Sequence, residues 1–490
     1  MSLSLNINRD DNRALYQQIA AQIKNQISVG RLPPGTRLPS VRQMATHLHV
    51  NRLTVHNAYS ELQADGWVES TVGRGTFVVE HAQPMTMLSS TDDYVGADSV
   101  LRDIDPIKQM PTLRSLAYSE PDPALVPVDE LFGNIVALRR EAGNLMRYGS
   151  PQGDPALRVE ITRMLEERGV QTMPDQVLIT SGAMQGLSLA TQILGERGET
   201  VLMGEPCYLG MVHIIKTFGL NPVTVPVDEE GVSIKAMERA LQTHKPRFLY
   251  TVPGFQNPTG YCMSAQRRRD LLDLAEKYDF WIIEDDIYAT LAYDAVPPLA
   301  LKAWDNAERV IYVSSFSKVI TPGFRIGYMV APPALQNRLI AYRLANDVYS
   351  PALLQTAVTN FLRQGRLKAH LRRVLPIYRS RRDALMQAME RYMPSGVEWT
   401  VPSGGYSIWV TLPRPNMMAI YKAALERSIA FTPGEAFLTS RTNRHFRLCF
   451  STQPAEDLTE IVAMLGEIIY EQMDITDLAP EADTLWTPLV

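Results

Sequence analysis

The chain has 490 residues, 45% of them hydrophobic, and a formal net charge of −5; it is too long for one domain and has the composition of an ordinary globular protein with two or three. That charge excludes a wholly basic nucleic-acid coat but leaves room for one small DNA-reading module. Cys207, Cys262 and Cys449 lie far apart without a CxxC pair, which argues against a disulfide framework or zinc site and for a reducing compartment. The N-terminus lacks the apolar core of a secretory signal and no apolar run could cross a bilayer, so a cytoplasmic protein is expected.

In chain order, Leu15, Ile19, Ile23 and Ile27 recur every four residues, one face of a helix that Gly30 would end. After the turn-rich bridge from Leu32 to Pro39, Ser40 suits the N-cap of a short helix through Leu48. A third helix is expected from Asn51, with Val55, Ala58, Tyr59 and Leu62 on one face. Residues 66–69 and 75–79 read as two strands around the turn Val72-Gly73-Arg74. This is the outline of an α+β winged helix-turn-helix. The third helix offers Asn51, Arg52, Thr54, His56 and Asn57 as donors to phosphates and base edges, with Arg42 and Arg74 near by. A small helical dimerisation module has the same outline, and charge alone does not choose between them.

The string LPSVRQMATHLHVNRLTVHNAYSELQADGWVESTVGRGTFV resembles the DNA-binding domain of the GntR family of bacterial transcription regulators, a match covering roughly residues 12–80. The resemblance implies binding to double-stranded operator DNA in the bacterial cytoplasm. It makes Arg42, Asn51, Arg52 and Thr54 the contacts, with Gly73 and Arg74 in the wing. His56 departs from the basic residue that some relatives carry there. The first domain is thus expected over 1–80. Residues 81–111 are polar and broken by Pro and Gly, and read as a flexible linker.

Over 112–475, apolar strands alternate with amphipathic helices, the pattern of an α/β fold; residues 476–490 form an acidic, proline-broken tail. Strands are expected over 177–180, 200–203, 247–251, 280–283 and 310–313, with helices such as 185–194 and 264–278. Polar clusters follow these strands, where ligands of such sheets bind. Ser181-Gly182-Ala183-Met184 could expose N–H groups to an anion at a helix start. Tyr208 could stack on a ring or simply pack. Asn257 could bond a ring oxygen or start a turn before Pro258. Of the acids Glu284-Asp285-Asp286, one could hold a pyridine nitrogen protonated, with Tyr288 close behind. Consecutive acids could also bind a metal, but no histidine cluster accompanies them, and no metal is expected.

In Ser315-Phe316-Ser317-Lys318, followed by Arg325, a lysine able to form a Schiff base adjoins hydroxyls and a guanidinium suited to a phosphate. Aldehyde and phosphate on one small molecule suggest pyridoxal 5'-phosphate. From about residue 115 to 470 the chain resembles the aspartate-aminotransferase-type family, PLP fold type I. The resemblance implies that Lys318 is the Schiff-base lysine and Asp285 the partner of the pyridinium nitrogen. Asn257 and Tyr288 would hold the ring oxygen, and Tyr208 would stack on the ring. Ala183, Met184, Ser315, Ser317 and Arg325 would cradle the phosphate. Tyr148 would reach the phosphate of the opposite subunit of a homodimer, and Arg447 would clamp the carboxylate of a substrate or effector. Gly404-Gly405-Tyr406 would line the same cleft. The arginine-rich segment 364–382 reads as a solvated helix face, with contact to DNA or to the linker as the alternative.

The two domains together resemble the MocR subfamily of GntR regulators. That implies a transcription regulator that senses an amino acid, an amine or PLP itself through aldimine chemistry. The alternative is an active aminotransferase with an appended DNA-binding domain.

Overall fold

The structure is a computed structural model that describes residues 14–78, apart from 29–31, 33–34, 49, 65–67 and 72–74, and residues 113–475, apart from 141, 295, 297 and 440–441. Two compact units divide the chain, Met1–Asp93 and Tyr94–Val490. The predicted linker and tail lie outside the described residues.

The first unit runs α1 (Leu15–Ser28), α2 (Val41–Leu48), α3 (Arg52–Ala64), then the antiparallel pair β1 (Val68–Thr71) and β2 (Gly75–Val78). Its core contains Ile19 and Ile23 of the first stripe read in the sequence and the whole second stripe, Val55, Ala58, Tyr59 and Leu62; Met44 and Ala45 of α2 join them, and Val68 and Val78 close it. Two caps fix the helix starts. Ser40 Oγ accepts the Gln43 N–H at 3.3 Å while Gln43 Oε1 accepts the Ser40 N–H at 3.0 Å, a capping box. Asn51 Oδ1 accepts the Leu53 N–H at 3.0 Å. Each cap is worth about 1 kcal/mol. The first strand runs to Thr71, two residues past its predicted end, because its register pairs Val68 with Val78 inside the core and Thr71 with Gly75 at the turn.

The second unit opens with β3 (Arg114–Ser115) and, after an extended stretch and a short 3-10 turn at Pro123–Leu125, α4 (Val128–Ala137). Its main sheet contains β4 (Val177–Thr180), β5 (Thr200–Glu205), β6 (Asn221–Asp228), β7 (Gly231–Val232), β8 (Phe248–Thr251), β9 (Trp281–Asp285), β10 (Val310–Ser315) and β11 (Gly327–Val330). The spatial order is β4-β11-β10-β9-β8-β5-β6-β7. The run β10, β9, β8, β5, β6 is parallel, whereas β11 is antiparallel to both its neighbours. Strands β4, β8, β10 and β11 are buried along their whole length, which is why they read as unbroken apolar runs rather than alternating ones. Helices α5 (Ala183–Leu194) and α6 (Ala265–Tyr278) follow β4 and β8. Gly186 lets α5 lie close to β10: a Cβ there would stand 2.9 Å from Val313.

A smaller layer completes the unit. The long helix α7 (Arg366–Tyr392) and the helix α8 (Ala455–Ile475) pack on a sheet of β12 (Glu398–Trp399), β13 (Ser407–Thr411), β15 (Thr432–Pro433) and β16 (His445–Cys449), in order β12-β13-β16-β15. The short β14 (Ile429–Ala430) pairs in parallel with β3, so the chain just after the linker is stitched into this layer. Helix α7 corrects one expectation. Arg372, Arg373 and Arg379 face solvent as predicted, but Arg381 and Arg382 are buried and ion-paired with Asp122 and Asp294, both at 2.6 Å. A charge run cannot reveal partners that arrive from distant segments.

Candidate functional site

The parallel strands end on one edge of the main sheet, and register lines up the polar groups there. Ser315 faces Gly327 across β10 and β11, and Gly327 faces Thr180 across β11 and β4. Ser317, Arg325 and residues 181–184 therefore leave the sheet side by side. Ser315 Oγ bonds Ser317 Oγ at 2.8 Å and accepts the Ser317 N–H at 3.0 Å. Helix α5 starts at Gly182 (φ 85°) without a side-chain cap, leaving N–H groups of its first turn, including Ala183 and Met184, to serve an anion. Arg325 adopts a left-handed backbone (φ 52°, ψ 45°), which costs a non-glycine residue roughly 1–2 kcal/mol. This sends its guanidinium across to the Ser181 carbonyl at 3.1 Å. A Cβ on Gly182 would collide with Arg325 Nη2 at 2.5 Å, so glycine is required for the approach.

Beside this cradle Asp285, at the end of β9, is fully buried. Its Oδ2 accepts the Tyr250 hydroxyl at 2.9 Å, and its Oδ1 has no hydrogen-bond partner. Burial pushes the carboxyl up to about 7, against the pull of the Tyr250 hydrogen bond. Lys318 lies 5.8 Å from the centre of the Tyr288 ring, and its amine donates to the Ser119 carbonyl. Burial first, and then the charge of Arg447, bring that amine down to about 8. The Tyr288 hydroxyl shares a 2.8 Å hydrogen bond with Ser119 Oγ. Tyr406 donates to the Lys318 carbonyl at 2.7 Å, fixing the backbone that carries the lysine. Tyr208 stands at the N-terminal end of the helix Leu209–Thr217 with its hydroxyl 3.5 Å from Met184 Sδ, and burial raises it to about 12.

Arg447, on β16, is 4% exposed. One arm donates to Asn257 Oδ1 at 2.8 Å, and the other to Thr432 Oγ1 at 2.9 Å and to the Ala117 carbonyl. Its Nε has no partner, and Phe437 lies under the guanidinium at 4.9 Å. Asn257 keeps its NH₂ free of this bond. The predicted residues Ala183, Met184, Tyr208, Asn257, Asp285, Tyr288, Ser315, Ser317, Lys318, Arg325 and Arg447 thus occupy one end of the unit. Tyr148 stands apart: it is 85% exposed, with its ring edge-on to Tyr349 at 5.3 Å.

Sequence reasoning missed Tyr250, Ser119, Ala117 and Thr432. Tyr250 lies in a strand read only as apolar; its offset of two from Phe248 is the sole signal. Residues 117–119 belong to no regular element and carry no motif. Yet the strap from Arg114 to Asp122 crosses the site. Ala117 is bound to Arg447, Ser119 to Lys318 and Tyr288, the Glu120 carbonyl to Ser451 Oγ at 2.6 Å, and Asp122 to Arg381.

In the first unit Arg42, Asn51 and Arg52 are exposed and Thr54 is half-buried. Asn51 commits its oxygen to the cap of α3 and keeps its NH₂. Gly73 and Arg74 lie outside the described residues.

A helix-turn-helix unit and a type I aminotransferase-like unit in one chain define the class: a DNA-binding head fused to an aminotransferase fold. Comparison with known proteins agrees. Residues 15–78 match the bacterial regulatory proteins of the gntR family, and residues 122–465 match aminotransferase class I and II. An uncharacterized HTH-type transcriptional regulator of Bacillus subtilis is 31% identical over 93% of this chain and 96% of its own length. The probable rhizopine catabolism regulatory protein MocR of Rhizobium meliloti is 28% identical over 87% and 88%. The crystal structure of Pyrococcus horikoshii kynurenine aminotransferase in complex with PMP is 32% identical and superposes with a TM-score of 0.74, covering 79% of this chain and 98% of that one. The chain belongs to the MocR-type GntR regulators, transcription regulators whose second domain is an aminotransferase class I and II fold. Among the described residues no helix is long and apolar enough to cross a membrane.

Proposed function

We propose that the second unit holds pyridoxal 5'-phosphate and uses it to sense an amino compound bearing a carboxylate, and that the heads bind operator DNA according to its occupancy. The residues fit the cofactor. The orphaned Oδ1 of Asp285 is the acceptor that a ring N–H requires, and a cationic nitrogen there would draw the raised carboxyl back to its ionised form. The uncapped start of α5, Ser315, Ser317 and Arg325 supply the donors that a phosphate needs. Tyr208 would lie on the ring face, with Asn257 and Tyr288 at its oxygen. When bound, the cofactor supplies an aldehyde that condenses with amines and a ring that withdraws electrons.

The lowered Lys318 amine holds less proton than an exposed lysine at neutral pH, so it is readier to bond an aldehyde. Arg447 would receive the ligand's carboxylate. Both of its arms are occupied by the protein, so a bidentate carboxylate must displace an existing partner, and the Ala117 carbonyl is one. The observation that carries the proposal is this strap. It is held at once by Lys318 and by Arg447, the two groups an amino acid must engage, and it begins where the linker ends. A ligand that releases Ala117 and Ser119 loosens the middle of the strap, between β3, which stays paired with β14, and Asp122, which stays bound to Arg381. Occupancy then biases the linker and the heads, a population shift.

The unit would act as a homodimer. Val128, Phe132 and Val136 recur every four residues along α4 and are 47%, 60% and 69% exposed, an apolar stripe that a second copy would cover. Tyr148 would then reach the partner's phosphate. A second reading, a working aminotransferase, rests on the completeness of the set Lys318, Asp285, Tyr288 and Arg447.

The test is an absorbance titration of purified protein with amino acids and amines, beside a mobility shift on its own upstream DNA. Lys318→Ala should lose the borohydride-reducible chromophore and the ligand response while keeping DNA binding. A chromophore that borohydride still fixes in this variant refutes the lysine assignment. Sustained keto-acid-dependent turnover, with DNA binding indifferent to ligand, transfers the reading to the enzyme.

A further inference from the structure

The third helix carries one residue that neither its fold nor its charge explains. The buried stripe of α3 is Val55, Ala58, Tyr59 and Leu62, none more than 4% exposed. At about 100° per residue, Leu53 falls on the opposite side of the helix, in line with Asn57 and Ser60. It is 64% exposed. Its backbone N–H is taken by the Asn51 cap, so its side chain is all it can offer a partner. Asn51, Arg52, His56, Asn57 and Ser60, all exposed, surround it with polar groups. A lone surface leucine is ordinary in most places. Here it is the second residue of the helix whose N-terminal end, in a helix-turn-helix, meets base edges in the major groove.

The floor of that groove presents donors and acceptors at every base pair, and one apolar group, the C5-methyl of thymine. A leucine among donors therefore has one complementary target. The polar neighbours can satisfy phosphates and base edges around it, while a polar base edge facing Leu53 would lose its water without gaining a hydrogen bond. We propose that Leu53 is a specificity-determining residue that packs on the C5-methyl of a thymine in each operator half-site. The inference rests on the DNA-binding assignment of the first unit and is independent of the cofactor.

The experiment starts with selection of duplexes from a random pool by the full-length protein. The affinity of the selected duplex is then measured with each fixed thymine replaced by deoxyuridine, which removes only the methyl group. Wild type should lose about fourfold in affinity for one such thymine, the effect of withdrawing one methyl-sized group from contact. Leu53→Ala should bind the thymine and deoxyuridine duplexes equally, with the salt dependence of binding unchanged because no phosphate contact is altered. Leu53→Met, which keeps an apolar side chain, should retain the preference. Equal wild-type affinity for both duplexes, or a preference that survives in Leu53→Ala, overturns the proposal while leaving DNA binding in place. A wild-type chain that enriches no duplex overturns both.

Discussion

The two buried titratable groups of the site are displaced in opposite directions, and each displacement makes a pH prediction. Lys318 is lowered to about 8, so the fraction of neutral amine rises as pH passes through that value. Uptake of pyridoxal phosphate by cofactor-free protein should accelerate between about pH 7 and pH 9, followed by absorbance. The Arg447 charge is one cause of the lowering, so Arg447→Gln should move the midpoint to higher pH; a midpoint that stays or falls contradicts the coupling. Asp285 is raised to about 7, and the Tyr250 hydrogen bond is what restrains it from rising further. Tyr250→Phe should therefore raise it and weaken cofactor affinity, by roughly tenfold for each unit of added shift. The loss should be larger at pH 6 than at pH 9, where the carboxylate is ionised with or without its partner. A loss independent of pH would make Tyr250 a packing residue only. The run Glu284-Asp285-Asp286 at the end of an apolar strand was legible in the sequence, and the family resemblance singled out Asp285 within it. Tyr250 was not legible, because nothing in a buried strand shows which of its residues meets a neighbouring strand's terminus.

At the scale of elements, the strands and helices were legible from period and punctuation: β4 falls where the apolar run Val177–Thr180 predicts it, and α6 begins one residue after its predicted start, because Ser264 caps it and its Oγ accepts the Arg267 N–H at 3.2 Å. The strap was not, because its order comes from tertiary hydrogen bonds to Lys318, Arg447, Ser451 and Arg381 rather than from any local preference. Its C-terminal anchor can be tested. Arg381 bonds the Ser451 carbonyl and Asp122, and both charged residues are buried. Arg381→Met should cost about 3–5 kcal/mol in urea unfolding, since it strands a buried carboxylate. Replacing the partner as well, in Arg381→Met with Asp122→Asn, should recover a substantial part of that loss, because the uncompensated charge has gone. Losses that simply add would show that the two side chains act independently.

For the whole molecule, a regulator differs from an enzyme with a DNA tether in one thermodynamic respect. If an amino compound changes operator affinity by some factor, operator DNA must change the affinity for that compound by the same factor. Typical couplings are about 1–3 kcal/mol, a change of roughly 5- to 150-fold. The two numbers come from separate experiments, a DNA titration with and without ligand and a spectral ligand titration with and without operator, and they must agree. In the proposed route the coupling passes along the strap into residues 81–111. A Gly-Ser insertion within that segment should leave cofactor uptake unchanged, because Lys318, Asp285 and the phosphate cradle all lie after residue 180. It should leave Arg42 and Arg52 in place on their own folded unit as well. What it should remove is the agreement in its useful form: both coupling factors should fall together toward one. A factor that survives the insertion would mean that the heads respond through contact between the units rather than through the chain that joins them. A ligand that perturbs the spectrum strongly in wild type while both factors already equal one would mean that the second unit works for its own chemistry and not for the heads.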